Sequence, residues 1–226
     1  MIGIIGAMQA EVAALIEQMQ NKECRRISGI DFYTGELESK KVVVAACGVG
    51  KVFAALCAEA MILSFRPEYI LHTGVAGSLV PGLPVGGLAL AKSMVQHDMD
   101  TSPLGDPKGL ISGINIVEIP CDKALTSRML DIAARLGYPH REGVIASGDQ
   151  FIADPAQKAA IAADFDAIAC EMEGAAIAQV CYVNQTPLCV LRAISDSADG
   201  DGAMEYPACL KLAAQRAVTL ILEFLK

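Results

Sequence analysis

Short apolar stretches that read as strands alternate with stretches of helical period along almost the whole chain. That alternation is the strongest constraint on the fold. A strand–helix–strand series makes neighbouring strands run mostly parallel, with helices covering both faces of the sheet. Residues 1–6 read as a buried strand, followed by a helix from about Ala10 to Gln20. Residues 30–37 and 41–47 read as a strand pair turning at Glu38, Ser39 and Lys40. Gly50 to Phe65 is helical and stops at Pro67. Strands follow at Tyr69–Thr73 and Gly87–Gln96, then an irregular stretch at 98–113 rich in Asp, Pro and Gly, which has the composition of a functional loop. Beyond it come a helix at Asp122–Leu136, a strand at Gly143–Ser147, a helix at Pro155–Ala163 and strands at Ala167–Glu171 and Pro187–Ile194 with the helix Gly174–Val183 between them. The last helix, about Pro207–Phe224, carries apolar residues at 210, 213, 214, 217, 220, 221 and 224, the period of an amphipathic helix. The expected architecture is one α/β domain spanning 1–226.

Composition narrows the functional classes. The formal net charge is −8, with no Lys/Arg stripe to neutralise phosphates, which argues against nucleic acid and anionic membranes as partners. No apolar run approaches the roughly 18 residues of a spanning helix. The start, Met1 to Met8, has no basic region and soon meets Glu11, so it reads as the first strand rather than a signal peptide. Eight Cys (24, 47, 57, 121, 170, 181, 189 and 209) include no Cys-x-x-Cys pair and lie mostly in apolar stretches. That pattern predicts reduced, buried thiols in a cytoplasmic protein, and no zinc site.

Ligands of such folds sit at the carboxyl ends of the strands. The polar residues there are Met8 to Glu11, Gly48 to Gly50, Gly74 to Ser78, Ser147 to Asp149, Glu171 to Glu173 and Arg192 to Asp196. Gly48, Gly50 and Lys51 hint at a phosphate loop, but Ala45 replaces the required glycine and Val52 the Ser/Thr. Phe53 likewise replaces the third glycine of a dinucleotide fingerprint. His97, Asp98 and Asp100 have metal-ligand chemistry, yet one His with two Asp in a loop is more often a hydrogen-bonded turn. His72, inside an apolar strand, reads as structural.

Glu171 and Glu173 alternate at the end of an apolar strand and share one side of the chain if it stays extended. One of them can cap the helix starting near Gly174; capping does not readily explain both. Arg192 alternates within a buried strand and suits an ion pair with either glutamate, while Ser195 and Asp196 emerge at its end as acid, turn or N-cap. Glu11 can complement the dipole of the first helix.

Taken together these residues are specific. Gly3-Ile-Ile-Gly-Ala-Met8-x-x-Glu11, Thr73-Gly-x-Ala-Gly77, Ser147-Gly-Asp-x-Phe-Ile152, Glu171-Met-Glu173 and Arg192-Ala-Ile-Ser-Asp196 occur in this order. The set resembles the bacterial 5′-methylthioadenosine/S-adenosylhomocysteine nucleosidases of the nucleoside phosphorylase superfamily. The resemblance implies a single-domain, three-layer α/β fold with a central mixed β-sheet flanked by helices. It also implies a homodimer needing no metal or organic cofactor, and hydrolysis of an N-glycosidic bond to give adenine and a 5′-thioribose. On that basis Asp196 is the acid toward adenine N7, with Ser195 beside it. Glu11 activates water, Glu173 holds the ribose hydroxyls, and Arg192 helps to place water and sugar. Met172 packs on the sugar, Phe151 stacks on the purine and the Ile152 backbone reads its edge. Met8, Val49 and Tyr206 line the ribose and 5′ pocket, with Ala76, Gly77 and Glu171 completing the binding set.

Residue chemistry agrees. Breaking a C–N glycosidic bond builds positive charge on the sugar and negative charge on the base, so an acid is wanted at the base and carboxylates at the sugar and water. As an acid, Asp196 must be protonated well above the ordinary value of about 3.9, a shift that burial beneath the purine would supply. Val75 stands where many relatives carry a small hydroxyl residue, and the loop 101–112 departs from the family pattern in the region of the 5′ pocket. Alternatives on the same fold are a phosphorylase, which needs Arg or Lys near the first strand's end, and a nucleosidase for another 5′-substituted adenosine such as aminodeoxyfutalosine. A non-catalytic nucleoside-binding module has no use for an acid and a water base together.

Overall fold

The computed structural model describes residues 1–196 and 206–226, with side chains of the final helix from residue 211 onward. Among the described residues ten strands and six α-helices follow in this order: β1 Ile2–Gly6, α1 Gln9–Gln18, β2 Gln20–Ile27, β3 Ile30–Leu37, β4 Lys40–Ala46, α2 Lys51–Phe65, β5 Tyr69–Ser78, β6 Leu88–Gln96, β7 Ile119–Pro120, α3 Lys123–Arg135, β8 His140–Ser147, α4 Pro155–Phe165, β9 Ala167–Glu171, α5 Gly174–Val183, β10 Leu188–Asp196 and α6 Tyr206–Leu225. The sheet order is β10-β6-β8-β9-β5-β1-β4-β3-β2, with β7 on β6 and a further β10–β5 pairing.

The sheet is mixed rather than mostly parallel. β1 runs parallel to β4 and β5, β10 to β5, and β8 to β6 and β9. The pairs β2–β3, β3–β4, β10–β6, β6–β7 and β5–β9 are antiparallel. Because β10 pairs with both β6 and β5, strands β5, β10, β6, β8 and β9 close a ring, and the remaining strands extend from it through β1.

Alternate strand residues feed opposite faces of the sheet. Ile5, Val43 and Val190 pack with Cys57 and Met61 of α2 and Ile177 of α5. Their neighbours Ile4, Val44 and Leu191 pack with Leu15 of α1, Met129 of α3 and Leu220 and Phe224 of α6. A third cluster seats Ile161 and Phe165 of α4 on Val144 and Ala146. Among the described residues, no helix is long and apolar enough to cross a membrane.

Two expectations about elements are corrected. The first helix ends at Gln18, and residues 20–27 form a strand the sequence hides: seven of its eight residues are exposed, so no apolar alternation marks it. It is held instead by hairpin pairing with β3. The strand starting at Tyr69 does not stop at Thr73 but runs to Ser78, taking in Gly74 to Gly77. That extension pairs Gly77 with Cys170 and Ser78 with Ala169, which closes the ring. The expected Glu38–Ser39 turn is present, both residues having positive φ (46° and 61°), the twist that suits a tight hairpin.

Candidate active site

The ring gathers the ends of β1, β5, β9 and β10 around one cavity of about 180 Å³. Of the residues expected at a site, it is lined by Met8, Glu11, Val49, Ala76, Gly77, Phe151, Glu171, Met172, Glu173, Ser195 and Asp196. Ile152 lies in a small adjoining recess shared with Lys158. The Tyr206 side chain lies outside the described residues. A larger groove between α1 and α6 is lined by Ala10, Ala14, Leu212 and Val218 among others, with no carboxylate.

Glu11 is buried in the first turn of α1. Its Oε2 accepts from the N–H groups of Ala7 (2.7 Å) and Met8 (2.9 Å), and its Oε1 from Val75 N–H (3.1 Å). Reaching back to the N-cap amide of Met8 is the carboxylate half of a capping box, so Glu11 does serve the helix end. A carboxylate offers about four acceptor positions, and these three bonds leave roughly one of them for a further donor. The residue at 75 takes part through its backbone, which makes its side-chain identity secondary for this contact.

Asp196 sits at the other side of the cavity, on the irregular end of β10. Ser195 Oγ donates to its Oδ1 at 3.0 Å, and Lys158 Nζ of α4 pairs with its Oδ2 at 3.0 Å. The carboxyl is 17 % exposed and ion-paired. Lys158 was not legible as a site residue: it lies on an Ala-rich helix far along the sequence from Asp196. Gly74 and Gly77 make the two approaches possible. A Cβ at Gly74 would lie 2.8 Å from Glu11 Oε1, and one at Gly77 2.8 Å from Asp196 Oδ2. The two carboxyl groups thus lean on β5 at points about three residues, roughly 10 Å, apart.

Beneath the cavity lies a fully buried charge cluster. Arg192 Nη2 contacts Glu171 Oε2 and His72 Nε2 and lies 3.4 Å from Glu173 Oε2. Arg192, expected to place water and sugar, is not among the residues that line the cavity; its Nη2 holds the glutamates from below, and its Nη1 lies beside Gly74 on the side of Glu11. Glu171 also accepts from Ser147 Oγ and from the N–H groups of Glu173 (3.0 Å) and Gly174 (2.9 Å), so it is the cap of α5. Glu173 is free of that duty, and its Oε1 accepts from Gly50 N–H at 2.8 Å. Burial opposes ionisation of Glu171, but the Arg192 charge, aided by the Ser147 hydrogen bond, outweighs it and holds its carboxyl below the usual range. Burial and the neighbouring Glu171 charge push Glu173 upward.

His72 is more than inert core. Its Nδ1 lies 2.9 Å from Ile5 O and donates to it, leaving the Nε2 lone pair for Arg192. Burial and the Arg192 charge keep the ring neutral. His72, Glu171 and Glu173 bring ligand atoms within 4.8 Å of one another, but the Arg192 guanidinium fills the centre that a cation would take. His97, Asp98 and Asp100 do not converge on a metal: Asp98 pairs with Lys51 and Asp100 accepts from Ser102 N–H.

The arrangement offers a carboxylate fixed by backbone amides, a second carboxyl across the cavity and a third aimed into it, between an apolar wall at Met172 and an exposed aromatic at Phe151. Among the described residues no Lys or Arg lines this cavity. Comparison with known proteins agrees with that layout. The phosphorylase superfamily matches residues 1–226. A 5′-methylthioadenosine/S-adenosylhomocysteine nucleosidase of Shewanella loihica is 37% identical over 227 residues, covering 100% of this chain and 98% of that protein. A mutant nucleosidase of Helicobacter pylori with 5′-methylthioadenosine in its active site superposes with TM-score 0.93 at 36% identity, covering 99% of this chain and 96% of that one. A futalosine hydrolase of the same organism gives TM-score 0.93 at 37% identity, with 99% and 96% covered. The chain belongs to the phosphorylase superfamily and, within it, to the 5′-methylthioadenosine/S-adenosylhomocysteine nucleosidase family.

Proposed function

We propose that this protein hydrolyses the N-glycosidic bond of 5′-methylthioadenosine and S-adenosylhomocysteine, releasing adenine and a 5′-thioribose, as in methionine salvage. The observation that carries the reading is Glu11. A carboxylate stands at the end of the first strand, and among the described residues no Lys or Arg lines the cavity around it, so a phosphate dianion meets repulsion there and water does not. Glu11 takes the proton of the attacking water. Asp196, protonated in the substrate complex, delivers that proton to N7 of the purine stacked on Phe151, with Ser195 orienting it and the Ile152 backbone at the base edge. Glu173 holds the ribose hydroxyls over Met172, and Arg192 acts from below by holding Glu171 and Glu173 in place. Met8 and Val49 face the 5′ substituent, and Ala76 and Gly77 the sugar and base.

The whole chain, 1–226, acts as one catalytic domain, and the active form is a homodimer in the cytoplasm. Val52, Phe53 and Leu56 are exposed on the first turns of α2, directly after the Gly50 contact to Glu173, and exposed apolar side chains grouped in this way mark subunit contacts. The seven described cysteines are all unbridged, which suits a reducing compartment. A second substrate reading is favoured by the likeness to a futalosine hydrolase: the adenine side of the site would serve aminodeoxyfutalosine equally. The test is adenine release from each of the three nucleosides, in phosphate-free buffer and with added phosphate. Release without phosphate is expected; release only with phosphate would make the enzyme a phosphorylase.

A further inference from the structure

Three segments that the sequence singles out meet at the cavity mouth. They are the turn 48–51 after β4, the stretch 97–100 after β6 and the turn 148–150 after β8. Lys51 Nζ pairs with Asp98 Oδ1 at 2.6 Å and donates to Gln96 Oε1 at 3.1 Å. Asp98 Oδ2 accepts from Asp149 N–H at 2.9 Å, and Asp149 Oδ1 accepts from Lys51 N–H at 2.8 Å. Lys51, Asp98 and Asp149 therefore close a ring in which each residue holds the other two.

Gly50 lies against this ring. Its φ of 97° and ψ of 159° belong to glycine, and a Cβ there would sit 3.2 Å from Asp149 Oδ1. The Gly50 N–H donates to Glu173 Oε1 at 2.8 Å. The amide that Asp149 holds is the next one along the chain, so the Asp149 side chain anchors the peptide adjoining the one that carries the contact to Glu173.

We infer that Asp149 is a positioning residue for the sugar end of the site: with Lys51 and Asp98 it locks the 48–51 turn so that Gly50 N–H fixes the Glu173 carboxylate. The inference rests on the reading of Glu173 as the holder of the ribose hydroxyls. Only an acceptor oxygen is needed at Asp149, because its partner is a neutral amide. Two variants separate this role from a charge effect or from general stability. Asp149→Ala removes the acceptor. Asp149→Asn keeps an oxygen in the same place and removes the charge.

The experiment pairs amide hydrogen exchange of residues 50 and 51 with steady-state kinetics on 5′-methylthioadenosine. In Asp149→Ala, exchange at both amides accelerates and KM rises about tenfold, the scale of one lost hydrogen bond, with a smaller change in kcat because the contact is made before and during the chemical step. Asp149→Asn restores both readouts to near wild type. Unchanged exchange in Asp149→Ala overturns the inference whatever the activity. Faster exchange with KM within about twofold of wild type overturns the link to Glu173. An Asn variant as impaired as Ala overturns the acceptor role. Failure of wild-type protein to release adenine overturns the functional reading and the sugar assignment with it, while the exchange result still decides whether the ring holds the turn.

Discussion

The guanidinium of Arg192 and the carboxylate of Glu171 meet beneath the cavity floor, each side chain no more than 2 % exposed. Neither charge can be solvated if the other is lost. Removing one partner of such a pair costs about 3–5 kcal/mol. Arg192→Met should therefore destabilise the protein on that scale, read from urea unfolding. The same substitution at Arg128, which stacks on Phe224 at the surface of α3, should cost about 1 kcal/mol. Equal losses at the two positions would show that the buried cluster is not electrostatically tight.

Glu11→Gln keeps the size of the side chain but turns one acceptor oxygen into a donor that faces backbone N–H groups. It should cost about 1–3 kcal/mol in stability and about 10²–10⁴ in kcat. Loss of turnover in a protein that remains folded by circular dichroism is the expected result. Turnover that survives places water activation elsewhere.

Asp196→Asn should lower kcat by a similar factor, about 10²–10⁴, while binding of the nucleoside persists. Isothermal titration with 5′-methylthioadenosine reads the binding and adenine release reads the chemistry. A variant that turns over at the wild-type rate removes Asp196 as the acid.

Glu173 gives a pH signature. Burial first, and then the Glu171 charge, push its carboxyl up to about 7. A folded-state value above the unfolded one means the stabilisation is complete below the unfolded value of 4.5 and is lost as pH rises through about 7. Glu173→Gln removes that loss. It should be more stable than wild type above neutral pH, by on the order of 3 kcal/mol at most, and closer to wild type near pH 5. Thermal denaturation of both proteins across this range checks the sign. A stability difference independent of pH would show that Glu173 is ionised throughout.

The apolar face of α2 predicts the assembly state. Phe53→Glu with Leu56→Glu should convert a dimer to a monomer in sedimentation velocity. Wild-type protein that sediments as a monomer at micromolar concentration would overturn the homodimer.

Much of this fold was legible in the sequence because burial writes itself as periodicity. β1, β4, β9 and β10 are apolar runs, and α3 and α6 carry a clear apolar stripe. β2 was not legible, since an exposed hairpin strand is specified by its partner rather than by its own pattern. The end of β5 was not legible either. The sequence reading ends that strand at Thr73, yet Gly74 to Gly77 extend it because β9 and β10 supply its hydrogen bonds.

The sequence by itself determined the class of fold and the carboxyl groups that could do chemistry. Residue type and order fix which groups can donate protons, accept them or bind hydroxyls. Tertiary structure alone decided how those groups divide the work. Glu171 and Glu173 are two residues apart and chemically equal, yet one caps α5 and pairs with Arg192 while the other is turned toward Gly50 and the cavity. His72 became a neutral acceptor for Arg192, and Lys158 became the partner of Asp196. Such assignments depend on distances between segments far apart along the chain. Hydrogen bonds form only at contact distance and Coulomb energies depend on separation and burial, so only the folded arrangement sets them.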